Sequence, residues 1–229
     1  MIKQKNIGEL IIISGTTCAG KGSVIHKLLE NHNDILLSTS YTSRPKRENE
    51  KDGEDYYFIS KEEFINKINN GDFLEYAEVH KGDYYGTPKK EVLELLNSGK
   101  DVILEIDVEG AKQIKNKYPE TILIFIMAPS MSEVKRRIKM RGQESNEQII
   151  KRFETAYREI NEVNKYNYII VNDDLAESVK KVEAILLSEK CRTERIEEIR
   201  MESKEEIIHE FLVDPSTMPN KVIDYSDIF

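Results

Sequence analysis

The sequence has no tryptophan, only two cysteines and only six prolines among its 229 residues. The cysteines, Cys18 and Cys191, lie far apart and indicate no disulfide framework, which favours a reducing compartment. Long apolar runs and a signal region at the amino terminus are also absent, so we expect a cytoplasmic protein with no membrane partner. The formal net charge of -8 argues against a nucleic-acid-binding surface.

A glycine-rich loop follows a short β-branched run, Leu10-Ile11-Ile12-Ile13, that is typical of a buried parallel strand. Apolar residues recur at helical spacing after the loop, so the segment joins a strand to a helix amino terminus, where backbone amides and the helix dipole favour phosphate. The alternative is a glycine-rich turn without a ligand. The loop residues predicted to bind phosphate are Gly15, Thr16, Thr17, Cys18, Ala19, Gly20, Lys21, Gly22 and Ser23.

The spacing of this loop fits the pattern G-x-x-x-x-G-K-[ST] with one irregularity. Gly22 stands where the magnesium-binding hydroxyl is usual, and the hydroxyl comes one residue later at Ser23. Lys21 is in the position that reaches the terminal phosphates. The loop therefore predicts nucleotide binding, with Ser23 as a weak candidate metal ligand.

Further buried strands are predicted at 101–106, 121–126 and 168–171, and helices at 89–97, 110–117, 132–140 and 146–164. This alternation is typical of an α/β fold with a parallel sheet between helices, in which ligands bind beyond the carboxyl ends of the strands. Residues 38–88 are richer in tyrosine, glycine and charge and indicate a small, partly β insertion. Beyond about residue 188, the helical spacing of Ile196, Ile199 and later apolar residues predicts an appended helix and tail.

The insertion contains two arginines, Arg44 and Arg47, three residues apart around a proline. Planar guanidinium groups donate paired hydrogen bonds to phosphate, so this segment is a candidate anion site. A solvated basic loop is the alternative, because charge runs usually face water.

Eight segments, in this order, resemble the guanylate kinase family over about residues 8–187. They are the glycine-rich loop, S-x-S-x-T-x-R-x-x-R at 38–47, D-G-E-D-Y-Y-F at 52–58, G-D-F-L-E-Y-A-E-V-H at 71–80, Y-Y-G-T-P at 84–88, L-E-I-D-V-E-G-A at 104–111, R-I-K-M-R-G at 137–142 and Y-N-Y-I-I-V-N-D-D-L at 166–175. The resemblance implies a P-loop fold and a magnesium-dependent kinase that transfers phosphate from ATP to GMP or dGMP. It also implies a core at 1–37 and 89–187 with a lid at about 137–152, and a GMP-binding insertion at 38–88. The helical extension predicted at 188–229 follows from apolar spacing alone.

The resemblance also implies roles for individual residues. The GMP phosphate would be bound by Ser40, Arg44, Arg47, Tyr56 and Tyr85, and guanine by Glu75, Thr87 and Asp107. Carboxylates suit guanine because its N1–H and N2–H groups are donors. The residues expected to act in transfer are Lys21, Arg44, Arg137, Arg141 and Arg152, with Asn172 near ATP and with Glu105 and Asp107 ordering magnesium through water. A strand-end carboxylate that only caps the next helix is the alternative for Glu105 and Asp107.

The sequence departs from the family at the loop, where Cys18 replaces a usual glycine and Gly22 a usual serine. Cys18 is either a reactive thiolate or a small residue tolerated in the turn. A kinase-like module that binds a phosphopeptide is one alternative function, and a kinase with another acceptor is a second. The segment 188–229 lies outside the resemblance, and self-association, partner binding and a structural cover remain open roles for it.

Overall fold

The computed structural model describes residues 2–4, 7–79, 82–140 and 146–199, which form two units. One unit comprises Asn6–Glu189, and the other comprises Met1–Lys5 with Lys190–Phe229. The helices are α1 (Lys21–Leu29), α2 (Lys61–Asn70), α3 (Lys89–Asn97), α4 (Val108–Lys117), α5 (Met131–Met140), α6 (Asn146–Asn161) and α7 (Leu175–Glu189). The strands are β1 (Ile2–Gln4), β2 (Leu10–Gly15), β3 (Ile35–Leu37), β4 (Tyr41–Thr42), β5 (Tyr57–Phe58), β6 (Phe73–Val79), β7 (Asp83–Pro88), β8 (Asp101–Glu105), β9 (Ile122–Met127), β10 (Tyr168–Val171) and β11 (Ile196–Ile199).

The central sheet of the larger unit is parallel throughout, with the strand order β10-β9-β2-β8-β3. Successive side chains of β2 pack on opposite faces, as the period of a strand requires. Ile11 and Ile13 pack with α1 and α7, whereas Ile12 packs with α3 and α4. Burial on both faces explains why β2 is a continuous apolar run, and the predicted parallel sheet flanked by helices is confirmed.

The insertion folds as a second sheet with the order β5-β4-β7-β6, accompanied by α2. Strands β6 and β7 are antiparallel and place Glu75 opposite Thr87. Ser60 caps α2 by accepting a hydrogen bond from the Glu63 amide, and the helix ends at Gly71, whose φ of 72° suits glycine. Phe64 stacks on Phe73 with ring centroids 4.6 Å apart, so aromatic packing holds α2 against this sheet.

The secondary structure near the carboxyl end of the described residues differs from the sequence prediction. Residues 196–199, expected to be helical, form β11, which pairs antiparallel with β1. The apolar spacing of Ile196 and Ile199 suits a helix, but pairing with a distant strand overrides this local pattern. Residues 1–5, assigned to the core, belong to the smaller unit with the carboxyl-terminal segment. The rest of the predicted extension, residues 200–229, lies outside the described residues.

Candidate active site

The loop between β2 and α1 has a backbone that requires glycine at two positions. Gly15 has φ +153°, and a Cβ added there would lie 1.8 Å from the Ile126 carbonyl oxygen on β9. Gly20 has φ +88°, and its Cβ would lie 2.5 Å from the Asn172 side-chain nitrogen, just beyond β10. The loop is therefore packed closely against the carboxyl ends of two neighbouring strands, and it leads into the amino terminus of α1, where anions are favoured.

Cys18 occupies the loop position where the sequence departs from glycine. Its φ is +59°, the one positive value outside glycine among the described residues, and this conformation costs an ordinary residue about 1–2 kcal/mol. Its side chain is half-buried and packs against Ala128, Val134 and Ile138. These contacts support the interpretation of Cys18 as a small residue tolerated in the turn, and its reactivity stays a prediction.

Two predicted nucleotide-binding residues support the loop from outside the cleft. Asn172 is buried and its side-chain nitrogen donates to the Ala19 carbonyl oxygen at 2.8 Å. Arg137 donates to the carbonyl oxygens of Ala19 at 3.1 Å and Asn172 at 3.0 Å, while Glu133 holds its Nε at 2.7 Å. In this conformation Arg137 stabilises the loop, and its expected approach to the transferred phosphoryl group stays a prediction. Arg141 lies outside the described residues.

Helix α6 contacts the loop at Thr17 through two side chains. Arg152 donates to the Thr17 hydroxyl at 3.2 Å, and Glu159 accepts from the Thr17 amide at 3.2 Å. The two residues are seven apart and share one face of the helix. Burial raises the pKa of Glu159, and the positive charge of Lys21 opposes this rise. The helix thus brings one cation and one carboxylate to the same loop residue.

A cleft of about 390 Å³ joins the loop to the insertion. Lys21 lines it, and its Nζ donates to the Gly15 carbonyl oxygen at 2.9 Å. The other lining residues that the sequence singles out are Ser40, Tyr56, Glu75, Tyr85, Glu105 and Asp107. One cavity thus contains the loop lysine, phenols from the insertion and carboxylates from two sheets.

Glu75 is the most strongly perturbed carboxylate of this cleft. Only 5% of the residue is exposed, and one carboxylate oxygen accepts from the Thr87 hydroxyl at 2.6 Å across the β6–β7 ladder. Burial raises the pKa of Glu75 from 4.5 to about 7, while the hydrogen bond from Thr87 opposes the rise. Thr87 itself is fully buried and its hydroxyl supports Glu75, and its expected contact with a base stays a prediction.

Asp107 begins α4 and faces the same cleft. One of its carboxylate oxygens accepts from the Gly110 amide at 2.8 Å, which is an amino-terminal helix cap. The cap and the cleft position coexist, because a carboxylate has two oxygens. Asp107 also raises the pKa of Glu75 through like charge, after the larger effect of burial.

The two arginines of the insertion are held by a carboxylate that the sequence analysis did not single out. Arg44 is buried and donates to Glu50 through Nη1 at 2.7 Å and Nη2 at 2.6 Å, while its Nε donates to the Tyr85 hydroxyl at 2.9 Å. The Arg44 guanidinium also lies over the Tyr56 ring, 5.1 Å from the centroid. The Arg47 side chain is 75% exposed and, like Arg44, does not line the cleft. Arg47 thus matches the alternative of a solvated basic loop, whereas Arg44 is buried and does not.

Comparison with known proteins identifies the family. The family model described as guanylate kinase matches residues 7–189. The chain belongs to the guanylate kinase family. It is similar to a guanylate kinase of Clostridium perfringens, with 53% identity over 93% of this chain and 98% of the relative, and to one of Clostridium tetani, with 54% identity over 90% and 99%. The crystal structure of guanylate kinase from Anaplasma phagocytophilum matches with a TM-score of 0.71 and 32% identity, covering 94% of this chain and 99% of that chain.

Membership of the guanylate kinase family confirms the resemblance and the P-loop fold expected from the sequence. Within the part of the chain that the structure describes, we find no helix with the length and apolar character needed to span a bilayer.

The glycine at position 22 can be tested for its fit to the magnesium expected in a guanylate kinase. The Cβ missing from Gly22 would lie 3.8 Å from a Glu105 carboxylate oxygen, so Glu105 does face the loop, whereas Ser23 is exposed and does not line the cleft. Among the described residues, no group of three His, Cys, Asp or Glu side chains is placed to hold a metal alone. These residues fit a hydrated metal bound chiefly by nucleotide phosphates, whose waters Glu105 and Asp107 would contact.

We expect Gly110→Ala to destabilise the protein by about 1 kcal/mol or more, because the added Cβ overpacks this site. It would lie 2.8 Å from a Glu75 carboxylate oxygen, and Glu75 cannot withdraw without weakening its hydrogen bond to Thr87. Urea unfolding at pH 7 measures the change. Gly22→Ala is the matched control, since both glycines lie in the first turn of a helix and gain equally from alanine, but the Cβ at position 22 meets only Glu105 at 3.8 Å. Equal stability of the two variants would contradict the close packing of Gly110 and Glu75.

Glu50 and Glu159 are functional candidates that the sequence analysis missed. The signal for Glu50 was its spacing, because it follows Arg44 and Arg47 by six and three residues in one loop. Glu159 follows Arg152 by seven residues, two helical turns along the same face. Both are carboxylates beside predicted cations, and neither could be assigned without the loop conformation that brings the partners together.

Proposed function

We propose that this protein transfers the terminal phosphoryl group of ATP to GMP, or to dGMP, to form the diphosphate and ADP. The observation that carries the proposal is the shared cleft, in which Lys21 of the phosphate-binding loop faces Glu75 and Asp107. Phosphoryl transfer requires the two nucleotides to lie in one cavity with their phosphates in line. The family relatives named guanylate kinase support the same reaction.

Guanine recognition is assigned to Glu75 and Asp107. Guanine presents N1–H and N2–H on one edge, and acceptor-only carboxylates complement both donors. Adenine presents a ring nitrogen acceptor at the equivalent position, which a carboxylate repels. Thr87 supports this subsite by donating a hydrogen bond to one Glu75 oxygen, and Gly110 leaves space for the other Glu75 oxygen.

The phosphate of GMP is assigned to the phenolic edge of the cleft. This edge is lined by Ser40, Tyr56 and Tyr85, and Arg44 donates a hydrogen bond to the Tyr85 hydroxyl. Arg47 is exposed, and its assignment requires the side chain to turn towards the cleft. Together these groups orient the acceptor oxygen towards Lys21.

Catalysis then depends on positioning and on charge neutralisation, since phosphoryl transfer requires little covalent chemistry from the protein. Lys21 and Arg152 contact the loop at the Gly15 carbonyl oxygen and the Thr17 hydroxyl, and ATP phosphates would replace these contacts. Arg137 and Arg141 remain predicted lid residues that would approach the transferred phosphoryl group. Magnesium bound with ATP supplies further neutralisation of the phosphates, and Glu105 and Asp107 would hold its waters.

A coupled assay across the nucleoside monophosphates tests the proposal. With magnesium and ATP, kcat/KM for GMP should exceed that for AMP, CMP or UMP by about 10³-fold or more, because the buried carboxylates are left unpaired by the other bases. Nucleotide binding without turnover would instead favour the phosphopeptide-binding module. Comparable turnover of another monophosphate would favour the alternative acceptor. Cytoplasmic localisation and self-association stay predictions.

A further inference from the structure

We infer that Glu50 is a positioning residue for the acceptor phosphate: it binds one edge of the Arg44 guanidinium and directs the remaining N–H of Nη2, beside Tyr85, towards that phosphate. The inference rests on the proposed function, because it assigns a role within the GMP subsite. Both carboxylate oxygens of Glu50 are bound by Arg44, and one also by the Arg47 amide, so Glu50 is assigned a role through Arg44 and not by contact with the nucleotide.

The ion pair between Arg44 and Glu50 has two short, parallel hydrogen bonds. Arg44 Nη1 lies 2.7 Å from one carboxylate oxygen and Nη2 lies 2.6 Å from the other. The side chains are only 9% and 16% exposed, so water screens the pair weakly. The hydrogen bonds from Arg44 lower the pKa of Glu50 to about 2, and the carboxylate therefore stays charged at neutral pH. A pair of this kind fixes the plane of the guanidinium.

The donors of Arg44 can be assigned one by one, since a guanidinium has five N–H groups. Nη1 uses one on Glu50 and one on the Pro45 carbonyl oxygen at 3.0 Å. Nη2 uses one on Glu50, and Nε donates to the Tyr85 hydroxyl at 2.9 Å. The second N–H of Nη2 lies on the same edge as Nε. That edge adjoins the Tyr85 phenol, which lines the cleft, so it is the edge that a phosphate there can reach.

Glu50 also organises the second arginine of the loop. One carboxylate oxygen accepts from the Arg47 backbone amide at 2.9 Å, and Arg47 Nη1 lies 3.9 Å from the other oxygen. A single carboxylate therefore connects both arginines and fixes the turn between them. The two arginines carry a formal charge of +2, and Glu50 reduces the sum for the three side chains to +1.

The same contacts have a competing interpretation, in which Glu50 occupies the place of the phosphate and must be displaced. The two interpretations predict opposite effects of a neutral side chain at position 50. If the phosphate displaces Glu50, removal of its charge strengthens GMP binding. If Glu50 orients Arg44, its removal weakens GMP binding, because an amide cannot accept both hydrogen bonds.

The experiment compares GMP with guanosine, which lacks the phosphate. For Glu50→Gln, calorimetry without ATP should show a 10- to 100-fold higher Kd for GMP, equivalent to the loss of about one charge-assisted hydrogen bond. The Kd for guanosine should not change, and neither should KM for ATP. Glu48→Gln is the matched control, because it removes the same charge from an exposed position in the same loop and should leave GMP binding unchanged.

The outcomes are distinct. Equal or tighter GMP binding by Glu50→Gln overturns the inference, and so does an equal loss of GMP and guanosine binding, which indicates a general structural defect. If this variant shows no cooperative melting transition, Glu50→Asp decides by the same comparison, because it keeps the charge but is too short for both hydrogen bonds. Wild-type protein that binds no GMP overturns the proposed function and the inference with it, whereas wild-type binding with an unaffected Glu50→Gln overturns the inference alone.

Discussion

Lys21→Ala is expected to lower kcat for GMP phosphorylation by about 10³-fold or more, in the range that a transition-state cation contributes to phosphoryl transfer. Lys21 is the first residue of α1, lines the cleft and contacts the Gly15 carbonyl oxygen within its own loop. Its hydrogen bond to Gly15 lies within the loop, so its removal should leave the core intact. Steady-state kinetics give the rate, and thermal unfolding checks the fold.

Lys27→Ala is the control for this prediction. Lys27 lies on the same helix, is about half exposed and pairs with Glu30 at the surface. Its loss should leave kcat unchanged, since exposed ion pairs contribute little to stability and this one is not in the cleft. Undiminished turnover of Lys21→Ala would rule out the assignment of the loop as the ATP phosphate site.

Glu75→Gln should lower kcat/KM for GMP by about 10²-fold and reduce the preference for GMP over AMP by a similar factor. The amide keeps the shape of the side chain but replaces one acceptor oxygen with a donor, which opposes the donors of guanine. Initial rates with GMP and AMP measure the change. Glu78→Gln on the same strand is the control, because Glu78 is exposed and accepts a hydrogen bond from the Tyr84 hydroxyl at the surface.

The same variant should alter the pH dependence of GMP binding. The pKa of Glu75 is about 7, so the wild-type carboxylate loses its acceptor character as the pH falls below neutrality. KM for GMP should therefore rise in wild-type protein between pH 7 and pH 6 by more than it rises in Glu75→Gln. The variant serves as the baseline, because the phosphate of GMP titrates equally in both assays, whereas the residue 75 carboxyl titrates only in the wild type. Parallel profiles and unchanged base selectivity would together remove Glu75 as the base reader.

The elements that the sequence predicted well are those whose pattern is set locally and reinforced by burial. Strand β2 is apolar on both faces, and the loop glycines stand where the backbone has no space for a side chain, so both are visible in the residues themselves. The predicted helix at 89–97 agrees with α3 residue for residue, and the predicted strand at 168–171 agrees with β10. Other predicted boundaries shift by one to three residues, for example at α4, which begins at Val108 because Asp107 provides its cap.

The features that escaped prediction depend on partners far apart in the chain. Helical spacing at Ile196 and Ile199 was outweighed by a strand partner near residue 2. Arg137 could be recognised as a cation but not as a donor to carbonyl groups in the loop, because those contacts bridge more than 100 residues. The hydrogen bond from the Thr87 hydroxyl to Glu75 also depends on the β6–β7 register, which the sequence alone does not define.

The pairing of β1 with β11 has a consequence for the order of folding. These strands come from opposite ends of the described residues, so their contact closes a loop of about 200 residues, and the entropy lost on closure grows with loop length. A two-stranded ribbon has little stability of its own to offset that loss. In the order of the chain, the larger unit, residues 6–189, lies between the two strands of this ribbon. The ribbon is therefore expected to assemble last, after the parallel sheet has formed.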